Sequence, residues 1–223
     1  MRHFLVLASV ALLALSGAAH AQSYAREGTW DFGALLVDTG NETVSGTAGT
    51  SLALQGDLGW GLWGAYNFNN RLAVAFDWTH VSPDYVLNYR EDTGSQIPGP
   101  LQTIRHEADL SNLHLKGTFY FLEGDVTPFV EAGLGWTWVD SNIASGPPTT
   151  GCWWDPWWGY MCSSFYDTYD NTSTSYTYAV GLRWDISPEF TVRADYGILD
   201  IDLSAASGSA QAESLRLAFG WRF

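Results

Sequence analysis

Three histidines, His80, His106 and His114, could serve as general bases, and Glu107 and Ser111 lie close to the second of them. Such a set would suit the hydrolysis of lipid or peptide bonds. However, the spacing matches neither the nucleophile elbow of serine hydrolases nor a His-Glu-x-x-His metal site. We therefore predict that each histidine is exposed or satisfied by neighbours, and that the protein is not an enzyme and has no catalytic residues, metal or other cofactor.

The first 21 residues have the pattern of a secretory signal peptide. Arg2 gives a positive start, an apolar run follows over residues 4–15, and Ala19 and Ala21 supply small side chains for cleavage before Gln22. The run is too short for a membrane-spanning helix, and a buried N-terminal helix is the alternative. We assign residues 1–21 to the signal peptide and 22–223 to one domain, which is long enough for a single barrel.

Beyond the signal peptide, apolar residues alternate with small or polar ones at a period of two, which is typical of β-strands. Leu54, Trp60 and Leu62, for example, alternate with Gln55 and Gly61. No stretch is apolar for long enough to be a transmembrane helix. The pattern predicts eight strands, at about 30–37, 52–68, 71–79, 113–121, 130–138, 175–184, 190–198 and 214–223.

The predicted connections alternate in length along the chain. Those at 67–70, 123–126 and 185–188 are tight and rich in turn residues. The others, at about 38–51, 81–105, 140–172 and 204–212, are long. An even number of strands, with short turns at one end and long loops at the other, is typical of outer-membrane β-barrels. In that arrangement the short turns and both chain termini face the periplasm.

Alternation alone also fits a soluble barrel with an apolar interior. Volume decides between the two, because eight strands enclose an interior that side chains only just fill. Large residues such as Trp60, Trp136 and Trp184 would not fit inside, whereas the face rich in glycine and alanine would. Aromatic residues also gather near the presumed strand ends, where membrane interfaces favour them. The sequence therefore predicts that the apolar face contacts lipid.

The segments 128–136 (PFVEAGLGW) and 215–223 (LRLAFGWRF) resemble the small outer-membrane β-barrel proteins of Gram-negative bacteria, of OmpA or OmpX size. This resemblance implies an all-β, eight-stranded antiparallel transmembrane barrel in the cell outer membrane, with short periplasmic turns and long extracellular loops. It also implies that the terminal Phe223 is the signal read by the barrel-assembly machinery. The resemblance covers the chain after the signal peptide and concerns architecture more than exact motifs.

The lumen-facing positions of the predicted strands carry charged residues of both signs. Lys116 and Glu131 should lie nearly opposite each other, while Arg183 and Arg193 should face one another with Glu131 and Asp195 between them. A buried unpaired charge costs several kcal/mol, so we expect a mutually paired network that plugs the lumen. The alternative is a charged constriction in a narrow pore. The predicted network comprises Asp57, Asp77, Lys116, Glu131, Arg183, Arg193, Asp195 and Arg216, with Arg222 on the same face.

The third outer loop holds both cysteines, Cys152 and Cys162, and the oxidising compartment outside the cytoplasm favours a disulfide between them over two free thiols. Four tryptophans inside this ring form a large apolar surface, which usually marks an interaction site. The alternatives are that they cover the barrel mouth or lie in the lipid interface. The tryptophans of this predicted surface loop are Trp153, Trp154, Trp157 and Trp158.

Composition limits the partners. The net charge is −14 although only 15% of residues are charged, and no basic stripe exists that would bind nucleic acid. We expect a monomer whose partners are outer-membrane lipid, lipopolysaccharide, the barrel-assembly machinery and a surface ligand. Its predicted role is structural, in envelope integrity or surface interaction. The alternatives are a narrow pore or channel for small or hydrophobic solutes, an outer-leaflet lipid-modifying enzyme, and a soluble exported binding barrel.

Overall fold

The computed structural model describes residues 25–45, 51–90, 99–145, 147–165, 167–203 and 208–223. The predicted signal peptide over residues 1–21 lies outside them. Within these ranges the chain forms the strands β1 (Trp30–Thr39), β2 (Glu42–Ser45), β3 (Ser51–Leu54), β4 (Leu58–Asn67), β5 (Leu72–Val81), β6 (Asp84–Arg90), β7 (Leu101–Tyr120), β8 (Val126–Ala144), β9 (Thr149–Asp155), β10 (Gly159–Phe165), β11 (Thr168–Asp185), β12 (Phe190–Leu203) and β13 (Gly208–Arg222). The described residues include no helix that is long and apolar enough to cross a membrane.

Eight of these strands close into an antiparallel barrel in the order β1-β4-β5-β7-β8-β11-β12-β13, and β13 pairs with β1 again. The backbones of Trp30 and Phe223 exchange two hydrogen bonds, of 3.0 and 2.8 Å, at the closing seam. Closure gives each barrel strand a hydrogen-bonded neighbour on both sides, as a hydrocarbon surrounding requires. The predicted eight-stranded antiparallel barrel is therefore confirmed.

The alternation in sequence becomes an alternation of burial. Along β7, Leu113 and Leu115 are exposed on the outer wall, whereas His114, Lys116 and Thr118 are buried in the lumen. The predicted orientation is thus the one observed, with the apolar face outward. The outward tryptophans and phenylalanines would face water in a soluble protein, so this surface matches a lipid environment.

The short turns have local hydrogen-bonding side chains that explain where the strands reverse. In the link between β4 and β5, the Asn69 carboxamide oxygen accepts the backbone N–H groups of Arg71 and Leu72, both at 2.8 Å. In the link between β11 and β12, the Ser187 hydroxyl accepts the backbone N–H groups of Glu189 and Phe190. Such Asx and serine turns favour tight reversals.

The outer connections contain more strand than the sequence predicted. The expected strand 52–68 is two strands, because β3 pairs with β2 and β6 whereas β4 pairs with β1 and β5. Between them, the Gly56 N–H donates to the Asn41 carboxamide oxygen. Beyond the barrel, strands β2, β3 and β6 form a small sheet in that order, and β6 pairs with the outer half of β7. Strands β12 and β13 stay paired as far as Leu203 and Gly208, so the last loop is shorter than the predicted 204–212.

Candidate functional site in the barrel lumen

The central network is the set of buried charged side chains Asp77, Lys116, Glu131, Arg193, Asp195 and Arg216, which extend into the lumen from β5, β7, β8, β12 and β13. Glu131 is its centre. Its Oε2 accepts Arg193 Nη2 at 2.6 Å, and its Oε1 accepts Arg216 Nη2 at 2.7 Å and Lys116 Nζ at 3.1 Å. One carboxylate therefore pairs with cations from three different strands.

Two further carboxylates balance these cations. Asp77 accepts from Lys116, and its Oδ2 also accepts Arg216 Nη1 at 3.1 Å. Asp195 Oδ1 accepts Arg216 Nε at 2.5 Å. Three cations and three carboxylates give the central network a formal charge of zero. Buried charges are tolerated when they are paired and hydrogen-bonded in this way.

A second cluster, the periplasmic network, lies nearer the short turns. Arg183 is fully buried and donates to Asp31 Oδ2, Asp185 Oδ1 and the Tyr120 hydroxyl at 2.8, 2.8 and 2.9 Å. Arg222 pairs with the same two carboxylates, with Nε 3.2 Å from Asp31 Oδ1 and Nη2 2.6 Å from Asp185 Oδ1. These interactions join β1, β7, β11 and β13 across the lumen.

Arg26, which precedes β1, completes the periplasmic network. It is fully buried, its Nη2 donates to the backbone oxygens of Leu122 and Gly124, and its Nε lies 3.8 Å from Asp185 Oδ2. Arg26 thereby connects the residues just before β1 to the β7–β8 turn. With Arg26, Arg183 and Arg222 against Asp31 and Asp185, these five side chains carry a formal charge of +1.

Aromatic rings separate the two networks. The guanidinium carbon of Arg193 lies 4.4 Å from the ring centroid of Phe129 and 5.0 Å from that of Trp63. The guanidinium carbons of Arg26 and Arg183 lie 4.9 and 5.3 Å from the Tyr120 ring. Cation–π contacts of this kind are strongest where water is excluded.

Polar side chains extend from the central network toward the outer end of the lumen. His114 Nδ1 lies 3.6 Å from Asp77 Oδ1, and its Nε2 lies 2.9 Å from the Ser175 hydroxyl oxygen. The Thr137 hydroxyl is 3.0 Å from Ser175 Oγ and 2.7 Å from Asn112 Oδ1. Ser175 and Thr137 are fully buried, so these polar contacts lie inside the barrel.

The other two histidines lie outside the lumen. His80 Nδ1 is 3.0 Å from the hydroxyl of Ser111, its cross-strand neighbour, and its Nε2 is 3.9 Å from Asp109 Oδ1. These groups lie on the outer wall, next to the Trp60 and Trp78 rings. His106 belongs to the outer sheet, and its ring centroid is 5.9 Å from that of Tyr85. Ser111 therefore adjoins His80, although the sequence had placed it near His106.

Most of the predicted lumen residues come together, but two lie apart from the others. Arg183 and Arg193 are direct cross-strand partners, as the sequence predicted. Arg193 joins the central network, whereas Arg183 turns to the periplasmic one. Asp57 belongs to neither, because it lies at the outer end before β4, where its backbone pairs with Thr39.

The third outer loop is a β-hairpin formed by β9 and β10. Cys152 and Cys162 face each other in the ladder and form the predicted disulfide. At the tip, Asp155 Oδ1 accepts the backbone N–H groups of Trp157 and Trp158 at 2.8 and 3.0 Å. Gly159 has a φ of +79°, a conformation that glycine adopts without strain.

The hairpin continues the β8–β11 ladder outward, since the Ser145 N–H donates to the Asp167 carbonyl oxygen at 2.6 Å between the two pairs of strands. Trp154, Trp157 and Trp158 are 73, 88 and 78% exposed, and Trp153 is 40% exposed. In this structure, therefore, these rings do not pack over the barrel mouth.

The model of the outer membrane protein beta-barrel domain family matches residues 7–223 of the chain. The chain belongs to this family. Similar solved structures include Neisserial surface protein A (16% identity, TM-score 0.52, 88% of this chain and 98% of that one), OprG from Pseudomonas aeruginosa (12%, 0.52, 89% and 97%) and Ail of Yersinia pestis (17%, 0.50, 88% and 99%). At these identities the likeness establishes the shared fold. No curated protein sequence matches the chain significantly. The predicted family, fold class and outer-membrane location are thus confirmed.

Proposed function

We propose that this outer-membrane barrel is a monomeric structural protein of the cell envelope, with a closed lumen and an outer hairpin that binds a partner at the cell surface. The observation that supports a closed lumen is the succession of buried layers across it. The periplasmic network, the aromatic rings, the central network and the polar chain of His114 follow one another, and the central network encloses a void of only about 20 Å³. An eight-stranded barrel has no room for a channel beside such side chains.

The closed barrel should be impermeable to small solutes. A permeating ion would have to separate buried charge pairs, and breaking one such pair costs about 3–5 kcal/mol. Vesicles that contain the folded protein should therefore retain trapped sugars and small charged dyes as long as vesicles without protein. Faster release that requires the folded protein would favour a pore or channel instead.

A non-enzymatic role is part of the proposal. Ser175, His114 and Asp77 follow one another in the order of a catalytic triad, but the fully buried Ser175 hydroxyl is unreachable for a substrate. At the outer rim, the 3.9 Å between His80 and Asp109 exceeds a hydrogen bond. Both sets are better explained as structural polar contacts.

The outer hairpin supports the surface-binding part of the proposal. The disulfide and the β-ladder hold the aromatic side chains in place before contact, which reduces the entropy lost on binding. Exposed tryptophans are the residues on which interface energy tends to concentrate. Residues 145–167 contain no lysine, arginine or histidine, so we expect a neutral or apolar partner surface more than a polyanion.

Substituting Trp153, Trp154, Trp157 and Trp158 together with serine should weaken binding by more than about a hundredfold, since individual hot-spot residues contribute about 2 kcal/mol or more. Replacing both cysteines with serine should weaken it by about tenfold, because the hairpin would then be ordered only on contact. Binding to lipopolysaccharide, extracellular matrix and envelope proteins is compared at equal surface display. If the parent, the four-tryptophan variant and the cysteine variant bound equally well, the hairpin would not be a binding element and would be explained as an anchor in the membrane interface.

Assembly completes the proposal. Phe223 is 77% exposed and directly follows β13 at the closing seam, where its backbone bonds with that of Trp30. We propose that this terminal strand is recognised by the barrel-assembly machinery, and that the predicted signal peptide over residues 1–21 is removed on export.

A further inference from the structure

A groove of about 810 Å³ crosses the membrane-facing wall of the barrel from β5 to β12. Its floor is formed by Gly117 and Ala132, which are direct partners across β7 and β8 and both point outward. A Cβ atom added to Gly117 would meet no atom within 4 Å, so the space above the floor is open. The groove therefore arises from two small residues in a wall of otherwise large ones.

The next row of the ladder toward the periplasm forms a wall of the groove, where Phe119 pairs with Val130. Larger residues pair with the floor residues on both sides across the ladder. Val74 on β5 pairs with Gly117, and Tyr178 on β11 pairs with Ala132 and, on its other side, with Ile198 on β12.

The depth of the groove follows from the strand register. Gly117 lies three residues before the end of β7, and Ala132 lies six residues after the start of β8, both counted from the short periplasmic turn. With a rise of about 3.3 Å per residue and a strand tilt near 40°, they lie about 8–15 Å above the periplasmic strand ends. The apolar band of such barrels is about 25 Å tall, so the centre of this range lies just on the periplasmic side of the middle of the band.

A two-fold dimer brings the same surface of each copy together, so a groove on the symmetry axis would face its own copy and enclose a void. A flexible hydrocarbon chain can instead enter the groove from the bilayer and contact its floor and the side chains that line it. A void would lose these dispersion contacts, whereas a chain restores them.

From these observations we propose that the Gly117–Ala132 groove is a binding site for an acyl chain of a phospholipid from the periplasmic leaflet. Its lining is mainly apolar, with Phe119 and Val130 on one side, Tyr178 at the end and the bare backbone of Gly117 beneath the chain. This site is separate from the lumen and from the outer hairpin.

Native mass spectrometry and lipid extraction, after purification in mild detergent, test the site. The parent protein should retain about one phospholipid per barrel. The double variant Gly117→Leu/Ala132→Leu fills the groove and should lower that occupancy about tenfold, equivalent to about 1.4 kcal/mol. Ala34→Leu is the matched control, because Ala34 also points outward but lies on β1, away from the groove. It should retain lipid as the parent does.

Heat-modifiable gel mobility establishes that all variants are folded before lipid is counted. The single variant Gly117→Leu provides a second test should the double variant fail to assemble. Lipid-free parent protein, or equal lipid content in parent and groove variants, would overturn the proposal. The proposal would also be overturned if the parent protein were a dimer and the groove substitutions dissociated it, because the groove would then be a protein–protein contact.

Discussion

Glu131→Ala is expected to lower the free energy of unfolding by about 3–5 kcal/mol, because removing one partner leaves buried charges uncompensated. Glu131 pairs with Lys116, Arg193 and Arg216. Without it, three buried cations would share the two remaining carboxylates, Asp77 and Asp195. Equilibrium unfolding in urea or guanidinium, with the protein folded in lipid vesicles, measures the change.

Two substitutions provide controls for this result. Glu123→Ala removes an exposed partner of Arg71 at 2.8 Å, and pairs that are half exposed contribute less than about 1 kcal/mol. Glu131→Gln keeps the shape and a hydrogen-bond acceptor, so it isolates the loss of charge. If Glu131→Ala cost no more than Glu123→Ala, the central network would not stabilise the barrel.

Asp31→Ala is the second large effect that we expect, at about 3 kcal/mol or more. Asp31 is fully buried and accepts from Arg183, Arg222 and the Asn67 carboxamide at 2.8, 3.2 and 2.8 Å. Its loss leaves Arg26, Arg183 and Arg222 against the single carboxylate of Asp185. The same unfolding measurement applies.

The charge balance of the periplasmic network also predicts an order of effects. Arg183→Met keeps most of the apolar stem and leaves two arginines against two carboxylates, so the network becomes neutral. Asp31→Ala raises its charge from +1 to +2. Asp31→Ala should therefore destabilise the barrel more than Arg183→Met, and the reverse order would contradict this account of the network.

The sequence was most informative about which side of the barrel each residue faces. A period of two predicts that Lys116 faces inward and Leu115 outward, independently of the loop conformations. In the structure Lys116 is buried and Leu115 is exposed. The same reasoning made Arg183 and Arg193 cross-strand neighbours, because the short turn between β11 and β12 sets their register. The Cys152–Cys162 disulfide followed from the short separation and the export signal.

Height along the barrel was harder to predict, because strand tilt and stagger are not set by alternation. The sequence placed Arg183 beside Glu131, but the β8–β11 register pairs Arg183 with Thr127 and Glu131 with Ala179. Arg183 thus lies a full layer closer to the periplasm. Asp57 was expected on a continuous strand with the lumen residues, and the break before β4 leaves it at the outer end.

Three members of the periplasmic network were missed in the sequence. Arg26 lies before the first strand, where no alternation exists to mark it as buried. Asp185 lies at the strand end that we assigned to a turn, although its spacing of two from Arg183 puts both on one face. Asp31 was missed although it alternates with Trp30 and Phe32, a pattern that marks it as facing the lumen.

Single-channel recording in planar bilayers tests the closed lumen most directly. If the central network closes the barrel as we propose, the folded parent protein should produce no unitary current. Glu131→Lys, which adds a fourth cation to that network, serves as the comparison. A steady, ion-selective current in the parent, with a selectivity that Glu131→Lys reverses, would contradict the closed barrel and assign these charges to a pore.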